Sequence, residues 1–223
     1  MDQDFLEHMF VATNHQYMMF FIQKGKCFWL KVYEIPEGSK TSKGRAIQNL
    51  LNIDPSDQVN AFIRVKQLND KEYLQSHYII MGTKDGIIKK SSLEDYSRRR
   101  QNGVNAITIK ENDELLQARL TNGSHEILMA TKSGRAIRFN ESAVRCIGRT
   151  GAGVKGITID RTKDEVIGFI TVKDDSEDIL VVSQKGYGKR SSLEDYRVTN
   201  RGGKGVKTIN LSEKTGSLIA IRN

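Results

Sequence analysis

The residues that could do chemistry are few. SSLEDY stands at Ser91–Tyr96 and again at Ser191–Tyr196, two serines beside two carboxylates. Such a pair is one ingredient of nucleophilic catalysis, which also needs a positioned base. GAGVKG at Gly151–Gly156 fits the GxGxxG dinucleotide fingerprint. That motif has to open a helix after a buried parallel strand; here ITID follows, a strand sequence, and the run aligns with GVNAI and GVKTI elsewhere in the chain. No GxxxxGK[ST] loop is present. His8, His15, His77 and His125 have no metal-site spacing with one another or with Cys27 and Cys146. No acidic pair stands out as an acid/base pair, and Trp29 is read as a core or inter-blade residue. Ser91 with Glu94, and Ser191 with Glu194, have capping-box spacing. The sister runs KVYEIP and NESAVR lack the serine pair, so SSLEDY is read as a repeated scaffold turn and not as a catalytic device.

The elements that position these runs are repeats. Four copies of one pattern begin at Tyr17, His77, Glu126 and Asp178. Each starts with a short apolar strand, turns at a glycine (Gly25, Gly86, Gly134, Gly186) and returns on a basic strand. A second glycine (Gly44, Gly103, Gly153, Gly205) opens a third strand, and a fourth closes the copy. Strands rich in Ile, Val and Leu, without long 3.6-residue periodicity, in units of about 50 residues predict an all-β, propeller-like array of four-stranded blades. The expected blades are 13–68, 76–121, 125–173 and 177–223, in one domain covering 1–223, with 5–12 as the leftover strand of a preceding blade.

Composition agrees with a globular chain: 28% charged and 38% hydrophobic residues in 223. No apolar run reaches the length of a membrane span, and the acidic start MDQDFLEHMF is unlike a signal peptide. Two distant cysteines fit a reducing cytoplasm. The formal net charge is +8, and its distribution carries more than its size. The segments Lys24–Arg45, Gly86–Lys110, Lys132–Lys155 and Lys185–Lys207 hold 25 of the 35 basic residues and 7 of the 27 acidic ones. Acidic residues gather at ENDE (Glu111–Glu114), DRTKDE (Asp160–Glu165) and DDSED (Asp174–Asp178). An excess of one sign repeated in every blade predicts a continuous belt for an extended polyanion. Aromatics make up only 7% of the chain, too few among the basic residues for stacking unpaired bases, and no major-groove recognition helix is legible. Duplex DNA held by its backbone is the expected ligand. RRRQNG, GRTGAG and NRGGKG are the expected phosphate-approaching loops.

The runs VATNH, GKCFWLKVYEIPEGSKTSKGRAIQNLL, GTKDGIIKKSSLEDY, ATKSGRAIRFNESAVR and QKGYGKRSSLEDY resemble the C-terminal domain of the bacterial DNA gyrase A subunit over essentially the whole chain. The resemblance implies a β-pinwheel, a propeller-like disc with strands exchanged between blades. About four blades would form a partial disc, a fragment that begins after the first blade and stops before the last. It implies that duplex DNA wraps around the basic rim and so supports ATP-dependent negative supercoiling by the whole enzyme. The family's box, Q-[RK]-R-G-G-[RK]-G, has its nearest counterpart in TNRGGKG. Arg201, Gly202, Gly203, Lys204 and Gly205 match, while Thr199 and Asn200 depart.

The expected phosphate contacts are Lys43, Arg45, Lys89, Lys90, Arg98, Arg99, Arg100, Arg135, Arg138, Arg149, Lys155, Lys189, Arg190, Arg201 and Lys204. The fragment itself is expected to be non-catalytic, monomeric and free of cofactors, with ATP, Mg and the catalytic tyrosine in other regions. Its partners would be duplex DNA, the remainder of the gyrase A subunit, and the gyrase B subunit in an A2B2 assembly near the nucleoid in the cytoplasm, with no membrane. Two other readings stay open: the related domain of topoisomerase IV, and a propeller module whose basic belt grips an acidic protein.

Overall fold

A computed structural model describes residues 8–174 and 176–223. Unit one holds β1 (Tyr17–Ile22), β2 (Lys26–Lys31) and β3 (Val59–Val65). Unit two holds β4 (Tyr78–Thr83), β5 (Ile87–Ser92), β6 (Val104–Asn105) and β7 (Leu115–Thr121). Unit three holds β8 (Glu126–Thr131), β9 (Arg135–Asn140), β10 (Val154–Lys155) and β11 (Val166–Val172). Unit four holds β12 (Asp178–Ser183), β13 (Gly188–Ser192), β14 (Val206–Lys207) and β15 (Leu218–Arg222). A short helix, α1 (Lys71–Ser76), joins units one and two; the Asp70 side chain accepts from Tyr73 N and caps it.

The all-β pinwheel is what the structure has, with one correction to the contiguous reading of each repeat. The strands of one repeat do not make one sheet. The sheet orders are β3-β1-β2-β6, β7-β4-β5-β10, β11-β8-β9-β14 and β15-β12-β13. The two-residue third strand of each unit pairs antiparallel with the second strand of the unit before it: Val104 with Cys27, Val154 with Ile88, Val206 with Ala136. In unit one the corresponding run, GRAIQNLL, is not a strand. It makes a 3-10 turn at Ile47–Asn49, there being no preceding sheet for it to join among the described residues. The expected leftover strand at 5–12 falls partly outside the described residues. His8 to Ala12 forms no strand; instead the His8 and Phe10 rings pack on Phe62, at 4.7 and 5.0 Å.

The first strand of each inner unit alternates its side chains between two neighbours, as the period of two dictates. Met19 and Phe21 of β1 meet Ile79 and Met81 of β4 in one core. Ile80 of β4 meets Ile127 and Met129 of β8 in the next, and Leu128 and Ala130 meet Ile179 and Val181 of β12 in a third. These central side chains are fully buried, and all but Ala130 contribute about 2 kcal/mol each. These three cores lie between units, so each unit depends on a neighbour for part of its packing; a fourth lies within unit one, where Leu51 and Ile53 cover Met18, Phe20 and Phe28.

The second glycine makes the seam possible. Gly205 has φ +69°, and a Cβ on it would stand 2.5 Å from the Ala136 carbonyl oxygen of unit three; Gly103 and Gly153 repeat the arrangement. A Gly205→Ala substitution is expected to cost about 2 kcal/mol or more, from left-handed backbone strain plus displacement of a backbone carbonyl, read as a lower urea midpoint. The same change at Gly44, where a Cβ meets nothing among the described residues, is expected to leave the midpoint unchanged.

SSLEDY forms the expected turn in both copies, with a shifted cap. The turns are 3-10 at Leu93–Tyr96 and Leu193–Asp195, and the capping side chains are Ser92 and Ser192, which accept from Glu94 N and Glu194 N. Ser91 is buried and donates to Ile147 O of unit three at 3.0 Å.

Candidate nucleic-acid interface

The segment between the 3-10 turn and the second glycine carries most of the loop arginines, and it crosses onto the preceding unit. In unit three Ile147 N donates to Lys90 O at 2.9 Å, and in unit four Thr199 N donates to Arg138 O at 2.8 Å. A threonine of the preceding unit clamps each crossing. Thr108 Oγ1 donates to Thr150 O at 2.6 Å, and Thr158 Oγ1 donates to Gly202 O at 2.7 Å. The loops are therefore held to the seams by backbone hydrogen bonds, and their exposed cations start from fixed main chain.

The fifteen basic residues divide by burial. Lys43, Arg45, Arg98, Arg99, Arg100, Arg135, Lys155, Lys189, Arg190 and Lys204 are exposed, and Arg149 and Arg201 are half-buried. Arg99 lies over the Tyr17 ring at 4.7 Å. Arg100 and Arg149, from consecutive units, share an open pocket of about 540 Å³ with Lys26. Arg99, Arg149 and Arg201 all stand four residues before their seam glycine, so the seams carry a repeated arginine. In Arg201 that side chain is already engaged, donating from Nε to Ala143 O at 2.9 Å and from Nη1 to Lys155 O at 3.1 Å. The box-like run TNRGGKG thus lies along unit three, with Lys204 its exposed cation.

Lys89, Lys90 and Arg138 are buried, and the expectation that they contact phosphate is corrected. Lys89 Nζ donates to Ala106 O at 2.5 Å and to Arg149 O at 2.6 Å. Burial lowers its pKa to about 8, so the site tolerates the ammonium at a cost. Lys90 Nζ sits 3.0 Å from Glu141 Oε1 and over the Tyr78 ring at 4.3 Å. Arg138 pairs with Glu126 and donates from Nη1 to Leu193 O and Tyr196 O at 3.0 and 3.1 Å. The next unit covers the second strand; Lys89 and Arg138 bond its carbonyls, and Lys90 faces its Glu141 carboxylate. Lys89→Met is accordingly expected to leave both DNA affinity and its salt slope unchanged while altering the unfolding midpoint.

The turn lysines behave differently again. Lys24 pairs with Asp57 at 2.5 Å, Lys84 with Glu114 at 2.7 Å and Lys132 with Glu165 at 2.9 Å. They belong with the acidic edge. Carboxylates there close turns: hydroxyl and N–H donors from Ser56 and Thr162 hold Asp54 and Asp160 below the usual range. Asp175 lies outside the described residues. Uncompensated charge is thereby concentrated on the crossing loops. Sequence reasoning passed over Lys26 and Arg197, both exposed; Lys26 was visible as the counterpart of Arg135, each directly after a turn glycine.

A sequence profile described as DNA gyrase C-terminal domain, beta-propeller, matches residues 16–66, 77–122, 125–173 and 177–223, one segment per unit. The chain belongs to that family. The DNA gyrase A subunit of Staphylococcus epidermidis (strain ATCC 12228 / FDA PCI 1200) is 43% identical over 222 residues, and that of Staphylococcus aureus (strain NCTC 8325 / PS 47) is 40% identical. Both alignments take in 99% of this chain and 24% of the relative, so the chain spans about a quarter of those subunits. Among solved structures, the C-terminal domain of DNA topoisomerase IV superposes with a TM-score of 0.82 at 25% identity, covering 94% of this chain and 64% of that one. A DNA gyrase A C-terminal domain superposes at 0.75 and 25% identity, covering 93% and 65%. The family's fold is therefore the one built here from repeats.

Proposed function

We propose that these units bend and wrap duplex DNA along their crossing loops, without chemistry of their own, as the DNA-handling part of a gyrase A subunit. The observation that carries this is the repeated concentration of exposed, uncompensated arginine and lysine on main chain fixed at the seams, with the carboxylates drawn off to turn lysines and turn caps. Cations on ordered loops bind a polyanion without an added ordering cost, and spacing by units suits a backbone that follows a curve. In this reading ATP, Mg and the strand-cleaving residues belong to other regions of an A2B2 gyrase, and the fragment takes no cofactor.

The test is the salt dependence of binding to unrelated duplexes. Engagement of six phosphates predicts a log–log slope of about −5, equal for every sequence. A flat salt response would instead favour an acidic protein as the occupant of the belt. The topoisomerase IV reading keeps one observation in its favour, the higher TM-score; the 40–43% identity to gyrase A subunits supports gyrase.

A further inference from the structure

Consecutive crossing loops are bonded to one another, and a threonine makes each joint. In unit two, Thr108 N donates to Gly151 O at 3.3 Å and Thr108 Oγ1 donates to Thr150 O at 2.6 Å. In unit three, Thr158 N donates to Gly203 O at 2.8 Å and Thr158 Oγ1 donates to Gly202 O at 2.7 Å. Each threonine thus takes two successive carbonyls of the next unit's loop, one with its main chain and one with its hydroxyl. In both loops those carbonyls directly follow the seam arginine, in Arg149-Thr150-Gly151 and in Arg201-Gly202-Gly203. Thr108 and Thr158 stand at the same place in their units, each five residues past the second glycine, Gly103 or Gly153.

The loops that receive these bonds need a hold of this kind. GRTGAG and NRGGKG carry three glycines each, and glycine leaves the backbone more freedom than any other residue. The two-residue strands β10 and β14 fix only the far end of each loop. The fold depends little on the hydroxyls. Thr108 is exposed and Thr158 half-buried, and the sheet pairing that closes each seam is main chain to main chain. What the hydroxyls fix is the main chain from which Arg149, Arg201 and Lys204 project.

We infer that Thr108 and Thr158 are positioning residues: they hold the crossing loops of units two, three and four in one register, so that a duplex engaged on one loop is led onto the next in a fixed direction. The inference rests on the wrapping role proposed above, and it names what separates wrapping from binding. Affinity and its salt slope follow the number of phosphates neutralised, and the cations supply that number whether or not the loops are clamped. The direction of the path follows the angle between successive loops. A duplex resists bending, so loops free to tilt yield to it: they keep their phosphates and lose the curve.

Two double variants of the whole chain test this. Thr108→Val with Thr158→Val removes both hydroxyls and keeps the branched shape; Thr108→Ser with Thr158→Ser keeps the hydroxyls and removes the methyls. Without DNA, amide hydrogen exchange at Gly151 and Gly202 is expected to quicken at least about tenfold in the valine variant, with β8 and β9 unchanged and the serine variant like the parent. With DNA, the valine variant is expected to stay within about tenfold of the parent's affinity at the same salt slope. Its linking-number shift per bound molecule on relaxed plasmid is expected to fall below about half, and serine to restore it. Unchanged exchange at Gly151 and Gly202 would overturn the inference, as would a valine variant that shifts linking number like the parent or a serine variant that fails equally. A flatter salt slope would also overturn it, by making the hydroxyls phosphate contacts themselves. A parent chain that binds DNA and shifts no linking number would remove the wrapping role and this inference with it, whereas unaltered exchange beside a shifting parent would remove the inference alone.

Discussion

Charge reversal of Arg98, Arg99 and Arg100 to Glu is expected to weaken binding to every duplex sequence about equally, by roughly 10²–10³-fold at 0.1 M salt, and to flatten the log–log salt slope by about 2.7. The magnitude follows from freeing three phosphates together, each of which had released about 0.9 counterion. All three side chains are exposed, so the fold stands to lose little. The measurable structural cost is the Arg99–Tyr17 stack, worth about 0.5–1 kcal/mol at such a site. Fluorescence anisotropy with two unrelated duplexes, at several salt concentrations, gives both numbers. Unchanged affinity would take this loop off the DNA path; a loss confined to one sequence would replace backbone tracking with base readout.

The second large effect concerns the seam and not the ligand. Glu141 is fully buried and accepts from Thr121 Oγ1 at 2.7 Å and His125 N at 3.2 Å while facing Lys90 Nζ at 3.0 Å. Removing the carboxylate with Glu141→Ala leaves an ammonium buried without its counter-charge and two donors unpaired. The expected cost is about 3–5 kcal/mol, a large share of a typical domain's roughly 5–15 kcal/mol. Units two and four carry Leu93 and Leu193 at the same place, both fully buried. The double variant Glu141→Leu with Lys90→Met is therefore expected to regain most of the loss, since an apolar pair of similar volume replaces a desolvated ion pair. Urea titration of the two proteins reads this directly; a single variant costing under about 1 kcal/mol, far below the expected range, would contradict the reading of Glu141 as the seam's buried anchor.

The units were legible because their signals are local: an apolar strand, a turn glycine, a basic return. Strand exchange was not legible from periodicity, because β6, β10 and β14 are two residues long and nothing in a two-residue run says which sheet it joins. The family resemblance carried that feature. The site was half legible. Loop arginines such as Arg98 and Arg100 were read from composition and spacing, and the structure leaves them exposed. Lys89 and Lys90 were misread, because recurrence of positive charge was taken as recurrence of exposure. The counter-signal was present: three residues past the turn glycine stand Phe28, Lys89, Ile137 and Lys189, and four past it Trp29, Lys90, Arg138 and Arg190. Phe, Ile and Trp at those positions mark them as covered, and a lysine there has to find carbonyls or a carboxylate. Lys189 and Arg190 stay exposed because no described unit packs on β13, the same circumstance that bares Leu180.

The proposed role requires that these four units lead duplex DNA along a curved path of one hand, and plasmid topology probes that requirement without intermediaries. Relaxed circular DNA is incubated with increasing amounts of the protein, relaxed again by a type I topoisomerase, freed of protein, and resolved by linking number. The expected result is a shift of the topoisomer distribution in one direction that grows with protein until the DNA is saturated. An unchanged distribution at saturating protein would contradict wrapping, and would reduce the crossing loops to a surface that binds DNA without leading it around a curve.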